Sequence, residues 1–312
     1  MSSYRARISL AARRDIMGFS KWMLVISITS FVNQKGGTFI IAKLLDAASL
    51  GIYSMARQLA NMASSELLAP VKQALVPGYS KLAHDTVLLK RAFLDAYGVL
   101  VVGALPVAIG IGLTAEFFVP VLLGPKWSDV VPLIEILAIS GGVRSLSSHV
   151  QPLYLAMNRP DLGAYAAVGR TLVFLPMLVF ALTQYGIEGA AIAQAIGSVA
   201  VFLSSLYLMH RLLGVAFGEI WESCWRPLIA CVLMVLSVGA IKWFLPISRD
   251  DLIDQLVLLA VAMLIGFVAY LGSLLLLWTV CGRPVRSGES YILTYVRQSL
   301  KRRRSNAANA SS

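Results

Sequence analysis

The sequence predicts an all-α, polytopic membrane protein of about eight transmembrane helices, and three observations carry that prediction. Of its 312 residues, 58% are hydrophobic and only 14% charged, with a mean hydropathy of +0.75. A soluble domain carries about 25% charged residues. Apolar runs long enough to supply the ~20 residues of a spanning helix recur along the whole chain. Finally, Lys and Arg, which give a formal net charge of +11, fall unevenly between alternate connections, as a fixed membrane topology requires.

Taken in order, the predicted spans are 17–43, 48–76, 92–119, 130–157, 161–183, 187–212, 226–245 and 253–281. Asp46 to Ser49 reads as a tight turn, and Pro77-Gly78-Tyr79-Ser80 as the opening of a polar connection. Gly124-Pro125-Lys126-Trp127-Ser128-Asp129 ends in N-cap residues ahead of the next helix. Asn158-Arg159-Pro160-Asp161 and Tyr185-Gly186 are short turns, and Pro246 with Arg249-Asp250-Asp251 separates the last two spans. Four regions result. Residues 1–16 form a basic segment, 17–213 a six-helix unit, 214–282 two additional spans, and 283–312 a basic tail.

An even number of spans puts both ends on one side. Arg5, Arg7, Arg13, Arg14, Lys81, Lys90, Arg91, Arg159, Arg211, Arg226, Arg283 and Arg286 fall there, with Arg297 and Lys301 to Arg304. The opposite side has little beyond Lys43, Lys126, Lys242 and Arg249. Both termini are therefore expected in the cytoplasm. The first arginines precede an apolar run that continues past Val32 without a small-x-small cleavage site, so it reads as a spanning helix and not a removable leader. In the tail, Tyr291, Ile292, Tyr295, Val296 and Leu300 alternate with the basic cluster. Such a segment either lies on anionic lipid as an amphipathic helix or remains solvated and only fixes topology.

Cys224, Cys231 and Cys281 are scattered in or beside apolar runs, with no CxxC and no Cys/His cluster. They read as small packing residues, and no metal or other cofactor is expected. There is no phosphate-cradling glycine loop, and no connection is long enough for a catalytic domain. The expectation is a protein that is not an enzyme and has no nucleic-acid partner.

Chemistry is concentrated where it is most costly. The run from Val130 to Met157 carries Arg144, Ser145, Ser147, Ser148, His149 and Gln151 at its middle. In a helix Arg144, Ser148 and Gln151 share one face. An arginine at mid-membrane costs roughly 2.5–3.5 kcal/mol on insertion scales, so this stripe must face protein or water. Asn33-Gln34-Lys35-Gly36-Gly37 interrupts the first span and suggests a loosened helix there. The second span carries Arg57, Gln58, Asn61 and Glu66, with Arg57 and Asn61 one turn apart. Glu135 lies one turn into the fourth span and Arg170 sits in the fifth. One reading is a polar pathway: Lys35, Arg57, Asn61, Arg144, Ser148, Gln151 and Arg170 attract an anionic substrate, and Glu66 and Glu135 exchange protons or bind an ion. The other is private pairing, Arg144 with Glu135 and Arg57 with Glu66. Gly189, Ala193 and Gly197 form a small-residue stripe for close helix packing. Pro106 and Pro176 are expected kinks.

Several phrases carry a family resemblance. They are Leu50-Gly51-Ile52-Tyr53-Ser54-Met55-Ala56-Arg57, Leu68-Ala69-Pro70, and Ala74-Leu75-Val76-Pro77-Gly78-Tyr79-Ser80-Lys81-Leu82. Leu122-Leu123-Gly124-Pro125-Lys126-Trp127, Val131-Pro132-Leu133-Ile134-Glu135-Ile136-Leu137-Ala138 and Leu155-Ala156-Met157-Asn158-Arg159-Pro160-Asp161 follow in order. Together they resemble the polysaccharide (lipid-linked oligosaccharide) flippases of the multidrug/oligosaccharidyl-lipid/polysaccharide exporter superfamily. The resemblance implies a bacterial inner-membrane transporter that moves polyprenyl-pyrophosphate-linked glycan by alternating access. It also implies that this chain corresponds to the second lobe plus two extra C-terminal helices, without the first lobe. The facing wall would then come from a second copy or a separate first-lobe chain. Where relatives often carry an acidic residue near the position of Gly37, this sequence has Lys35. The resemblance leaves two alternatives: a multidrug antiporter of the same superfamily, or a non-transporting remnant that serves as a membrane scaffold of a polysaccharide assembly complex.

Overall fold

A computed structural model describes residues 13–66, 69–244 and 252–282. Among them are ten α-helices and no strand. The helices are α1 (Arg13–Phe31), α2 (Gly37–Leu44), α3 (Ala47–Glu66), α4 (Ala69–Leu82), α5 (Thr86–Leu123), α6 (Val130–Ser147), α7 (Val150–Ala156), α8 (Pro160–Leu213), α9 (Phe217–Phe244) and α10 (Leu252–Val280). The all-α, polytopic class is as expected. Residues 1–12 and the basic tail from 283 lie outside the described residues, as does the 245–251 connection.

Among the described residues, five helical segments are long and apolar enough to cross a membrane: α5, the α6–α7 run Val130–Ala156, α8, α9 and α10. One of them is long enough for two passes. A straight helix of the 54 residues of α8 would be ~81 Å long, against a hydrocarbon core of ~30 Å. It folds back at Gly186, whose φ of 57° and ψ of −139° suit only a residue without a Cβ. The returning arm lies against the first. A Cβ on Gly189 would collide with the Ala181 carbonyl oxygen, and one on Gly197 would lie 3.3 Å from the Phe174 ring. The expected packing role of the Gly189–Ala193–Gly197 stripe is thereby placed.

The first two predicted spans are helical but more polar than the rest. α1 passes through a π-helical turn, Val32–Gly36, into α2. This widened turn is the loosened segment expected around Lys35, and single π-turns of this kind recur at functional sites. α3 starts after Asp46, whose Oδ1 accepts the Ser49 amide at 2.9 Å. That bond holds the Asp46 carboxyl below its ordinary range.

The connection expected from Pro77 to Ser80 is instead helical, because α4 runs on to Leu82. Its Tyr79 is buried in a cluster with Leu89, Phe93 and Leu153, and that packing outweighs the hydrogen bond lost at Pro77. The helix expected from residue 92 begins six residues earlier, where the Asp85 side chain accepts from the Val87 and Leu88 amides. α6 starts at Val130 as expected, but Asp129 stands at the cap position without a side-chain bond. A 3₁₀ turn, Pro125–Trp127, closes most of that connection.

α5 is the axis of the bundle. α6 packs on one side of it and the α9–α10 hairpin on another, while α1 and α2 lie along α8. Small residues let α5 and α6 approach closely. A Cβ on Gly142 of α6 would stand 3.0 Å from that of Ala108 on α5, and one on Gly112 of α5 would stand 3.6 Å from that of Ala138 on α6.

The two largest apolar clusters of the core lie toward opposite ends of the helices. One gathers Leu89, Phe93, Tyr97, Leu153, Met209 and Val215. The other gathers Ile41, Tyr53, Val119, Leu133, Leu178 and Ala191. The first cluster marks the end where Lys81, Lys90, Arg91, Arg159 and Arg211 emerge; the second lies toward Lys43 and Lys126. At the basic end Lys90 Nζ donates to the Gly214 carbonyl at 3.0 Å and pairs with Glu219 at 2.7 Å. These contacts tie the α8–α9 joint to α5.

Candidate functional site

Between the two apolar clusters lies a polar seam built from α3, α6 and the first arm of α8. α6 supplies Arg144, which is half-buried midway along the Val130–Ala156 run. Its Nη2 donates to Oδ1 of Asn61 on α3. Arg57, one turn before Asn61, lies with its guanidinium carbon 5.8 Å from the centroid of the buried Tyr53 ring, a cation–π contact. The charges of both Arg57 and Arg170 bear on Arg144. Three guanidiniums from three helices therefore share one region.

Among the described residues, no carboxylate lies within ion-pair distance of Arg57, Arg144 or Arg170. The private pair Arg144–Glu135 expected as an alternative is absent. Nine residues along an α-helix amount to two and a half turns, so the two side chains leave α6 on opposite faces. Glu135 is in fact exposed. Glu66 closes α3, but its side chain lies outside the described residues.

The remaining residues predicted for the site divide. Lys35 is exposed on the π-helical turn. That turn is anchored beside the cluster, since Asn33 Nδ2 donates to Oγ1 of Thr171, next to Arg170. Ser148 turns back on its own helix, donating to the Ser145 carbonyl at 2.7 Å, and Gln151 is exposed. The helix is disturbed between them, where α6 ends at Ser147 and α7 begins at Val150. The predicted stripe thus contributes Arg144 to the cluster, while Ser148 and Gln151 make no contact with it. His149 points the other way. It is 1% exposed, with its ring 4.6 Å from that of Phe93 and 5.2 Å from that of Tyr97 on α5.

Three supporting contacts had not been read from the sequence. Tyr53 under Arg57 had a usable signal, because the two are one helical turn apart. The Asn33–Thr171 bond and the Ser140–Ser198 hydroxyl contact at 2.9 Å had none, since each joins residues distant in sequence. Ser140 and Ser198 pin the returning arm of α8 to α6 one turn from Arg144, and the Ser198 hydroxyl is occupied by the Gln194 carbonyl as well. The result is a frame of three guanidiniums with no carboxylate partner among the described residues. Among the described residues there is no group of three or more His, Cys, Asp and Glu side chains that could hold a metal.

Residues 1–132 match a family model described as "Polysaccharide biosynthesis protein". The chain is 26% identical over 220 residues to the lipopolysaccharide biosynthesis protein WzxC of Escherichia coli (strain K12), covering 70% of this chain and 45% of that protein. To the teichuronic acid biosynthesis protein TuaB of Bacillus subtilis (strain 168) it is 25% identical over 264 residues, 84% of this chain and 54% of the relative. To the succinoglycan biosynthesis transport protein ExoT of Rhizobium meliloti (strain 1021) it is 23% identical over 240 residues, 76% and 49% respectively. The resemblance to polysaccharide flippase-type proteins read from the sequence is borne out. The chain spans about half the length of the curated relatives it matches.

Proposed function

We propose that this chain forms one wall of a conduit that moves a lipid-linked, anionic saccharide precursor across a bacterial inner membrane for surface-polysaccharide assembly. The observation that carries the reading is the cluster of Arg57, Arg144 and Arg170, held by Asn61 and Tyr53 without a carboxylate partner among the described residues. Membrane-buried charge is retained where a ligand or a pathway uses it. A pyrophosphate spreads its charge over several oxygens, which the planar forks of arginines match in pairs. The names of the relatives favour a saccharide carrier over a drug as the cargo.

In this reading the protein is a carrier and not an enzyme. The basic end of the bundle faces the cytoplasm, and both termini lie there with it. A second wall, from another copy of the chain or from a separate polypeptide, closes the pathway over the arginines. Access alternates as that pair rocks about the arginine seam. Lys35 on its π-turn and Gln151 are exposed and flank the approaches to the seam, while Ser148 stays bonded to its own helix. Glu66 is the remaining candidate coupling carboxylate, because Glu135 faces away from the cluster.

The test is complementation of a strain lacking the gene. Arg144→Ala is expected to abolish polymer export while the protein still inserts at wild-type levels; unchanged export removes Arg144 from the pathway. A second reading, a non-transporting scaffold of an assembly complex, draws on the half-length match to the relatives. It is favoured if substitutions at the three arginines leave export intact while truncation of the basic tail removes it.

A further inference from the structure

A second polar feature lies well away from the arginine seam, at the basic end of the bundle where α1 meets the α7–α8 joint. A cavity of about 290 Å³ opens there, lined by Gly18, Phe19, Lys21, Trp22, Asn158, Pro160 and Asp161. Its walls are of two kinds. Phe19, Trp22 and Pro160 give an apolar side, extended by Tyr165, whose ring lies 5.2 Å from that of Trp22. Paired aromatic rings at a helix end mark the depth of lipid headgroups. The other side is charged. Lys21 Nζ lies 5.2 Å above the Trp22 ring and makes no ion pair among the described residues. The one carboxylate in the lining is already occupied, because Asp161 Oδ2 accepts from Arg159 Nη2 at 3.0 Å. The cavity therefore offers one uncommitted cation beside an apolar slot. Gly18 stands at its rim, where an added Cβ would meet nothing within 4 Å.

From this juxtaposition we infer that the cavity binds the anionic phosphate headgroup of a membrane lipid: the phosphate on Lys21, and the first carbons of the lipid against Trp22 and Phe19. A neutral zwitterionic headgroup fits less well, since its ammonium would need the carboxylate that Arg159 holds. The inference does not depend on the transport reading. The same chemistry is carried by an anionic phospholipid and by a polyprenyl phosphate, and the site selects phosphate-bearing lipid from the leaflet in either case.

The experiment is native mass spectrometry of the full-length chain released from micelles doped with equal amounts of phosphatidylglycerol and phosphatidylcholine. A parallel arm uses polyprenyl phosphate. Wild type is expected to retain phosphatidylglycerol about five- to tenfold over phosphatidylcholine, the scale of one basic residue acting on an anionic lipid. Lys21→Gln is expected to remove that preference and Lys21→Arg to preserve it. Gly18→Leu, which adds bulk at the rim of the cavity, is expected to lower retention of every anionic lipid. The ratio between the phosphatidylglycerol and polyprenyl phosphate arms tells which lipid is the preferred occupant. Equal retention of phosphatidylcholine by wild type, or no change in both Lys21→Gln and Gly18→Leu, overturns the site. Displacement of lipid by inorganic phosphate alone assigns the pocket to a free anion and overturns the lipid inference.

Discussion

If the arginine cluster is kept without a counter-charge for the sake of a ligand, supplying one should stabilise the protein and impair it. Asn61 is the place to do so, because its Oδ1 already accepts the Arg144 guanidinium and Arg57 lies one turn away. Asn61→Asp replaces the side-chain amide by a carboxylate of nearly identical shape, exchanging its NH2 donor for a second acceptor oxygen. Two unit charges about 4 Å apart attract by about 4 kcal/mol at an effective dielectric of about 20. Desolvating the new carboxylate opposes this, but the three guanidiniums have already met their own desolvation cost and Arg144 is only half-buried. Taking that loss as part of the attraction leaves a net gain of about 1–3 kcal/mol. In a protein of this size that corresponds to a rise of roughly 2–6 °C in apparent Tm. Asn61→Ala should do the opposite, leaving a charged donor without its acceptor at a cost of about 1–3 kcal/mol. The assay is thermal unfolding of purified protein in one detergent, read beside polymer export in cells. Asn61→Asp should melt highest and export poorly. A variant that melts below wild type, or exports normally, refutes the idea that the cluster is held uncompensated for a ligand.

Two glycines offer a graded test of the packing. Gly142→Ala places a methyl 3.0 Å from Ala108 on α5, so the helices must part slightly, at about 1–3 kcal/mol. Gly189→Ala drives its methyl into the Ala181 carbonyl oxygen at the reversal of α8, where backbone cannot yield as a side chain can. It should lower the detergent melting temperature more than Gly142→Ala does, and equal effects would contradict the placement of the returning arm.

Composition and run length were sufficient for the class and for most spans, because lipid accepts little but apolar helix. They were also sufficient to place Gly186 in a turn, though not to show how closely the two arms of α8 then lie. The first two predicted spans were harder. In α1 to α3 only a few polar residues, such as Asn33 and Asn61, reach other helices, while Gln34, Lys35 and Gln58 are exposed, so run length alone overstated how apolar these two spans are. The reading of α4 failed at Pro77, where local turn chemistry yielded to the burial of Tyr79.

For the site, residue type was informative and the partner was not. Arg57, Asn61, Arg144 and Arg170 stood out as costly residues at mid-span, and the structure brings them together. Helical period alone assigned Ser148 and Gln151 to the same face as Arg144, and it could not foresee the disturbance at Ser147–His149 that separates them. The same period, applied over nine residues, already argued against pairing Arg144 with Glu135. Contacts between distant helices, such as Asn33 with Thr171, leave no local mark in a single sequence.

The most direct measurement is binding of a short-chain polyprenyl-diphosphate sugar to the full-length chain in lipid nanodiscs, made in the Lys21→Gln background so that the surface pocket does not contribute. Saturable binding is expected. It should weaken as salt rises and should fall by at least about 100-fold when Arg57, Arg144 and Arg170 are all changed to Gln, since each charged hydrogen bond lost contributes about 1.5–3 kcal/mol. Binding that survives the triple substitution unchanged would contradict the claim that these arginines hold the anionic part of the cargo.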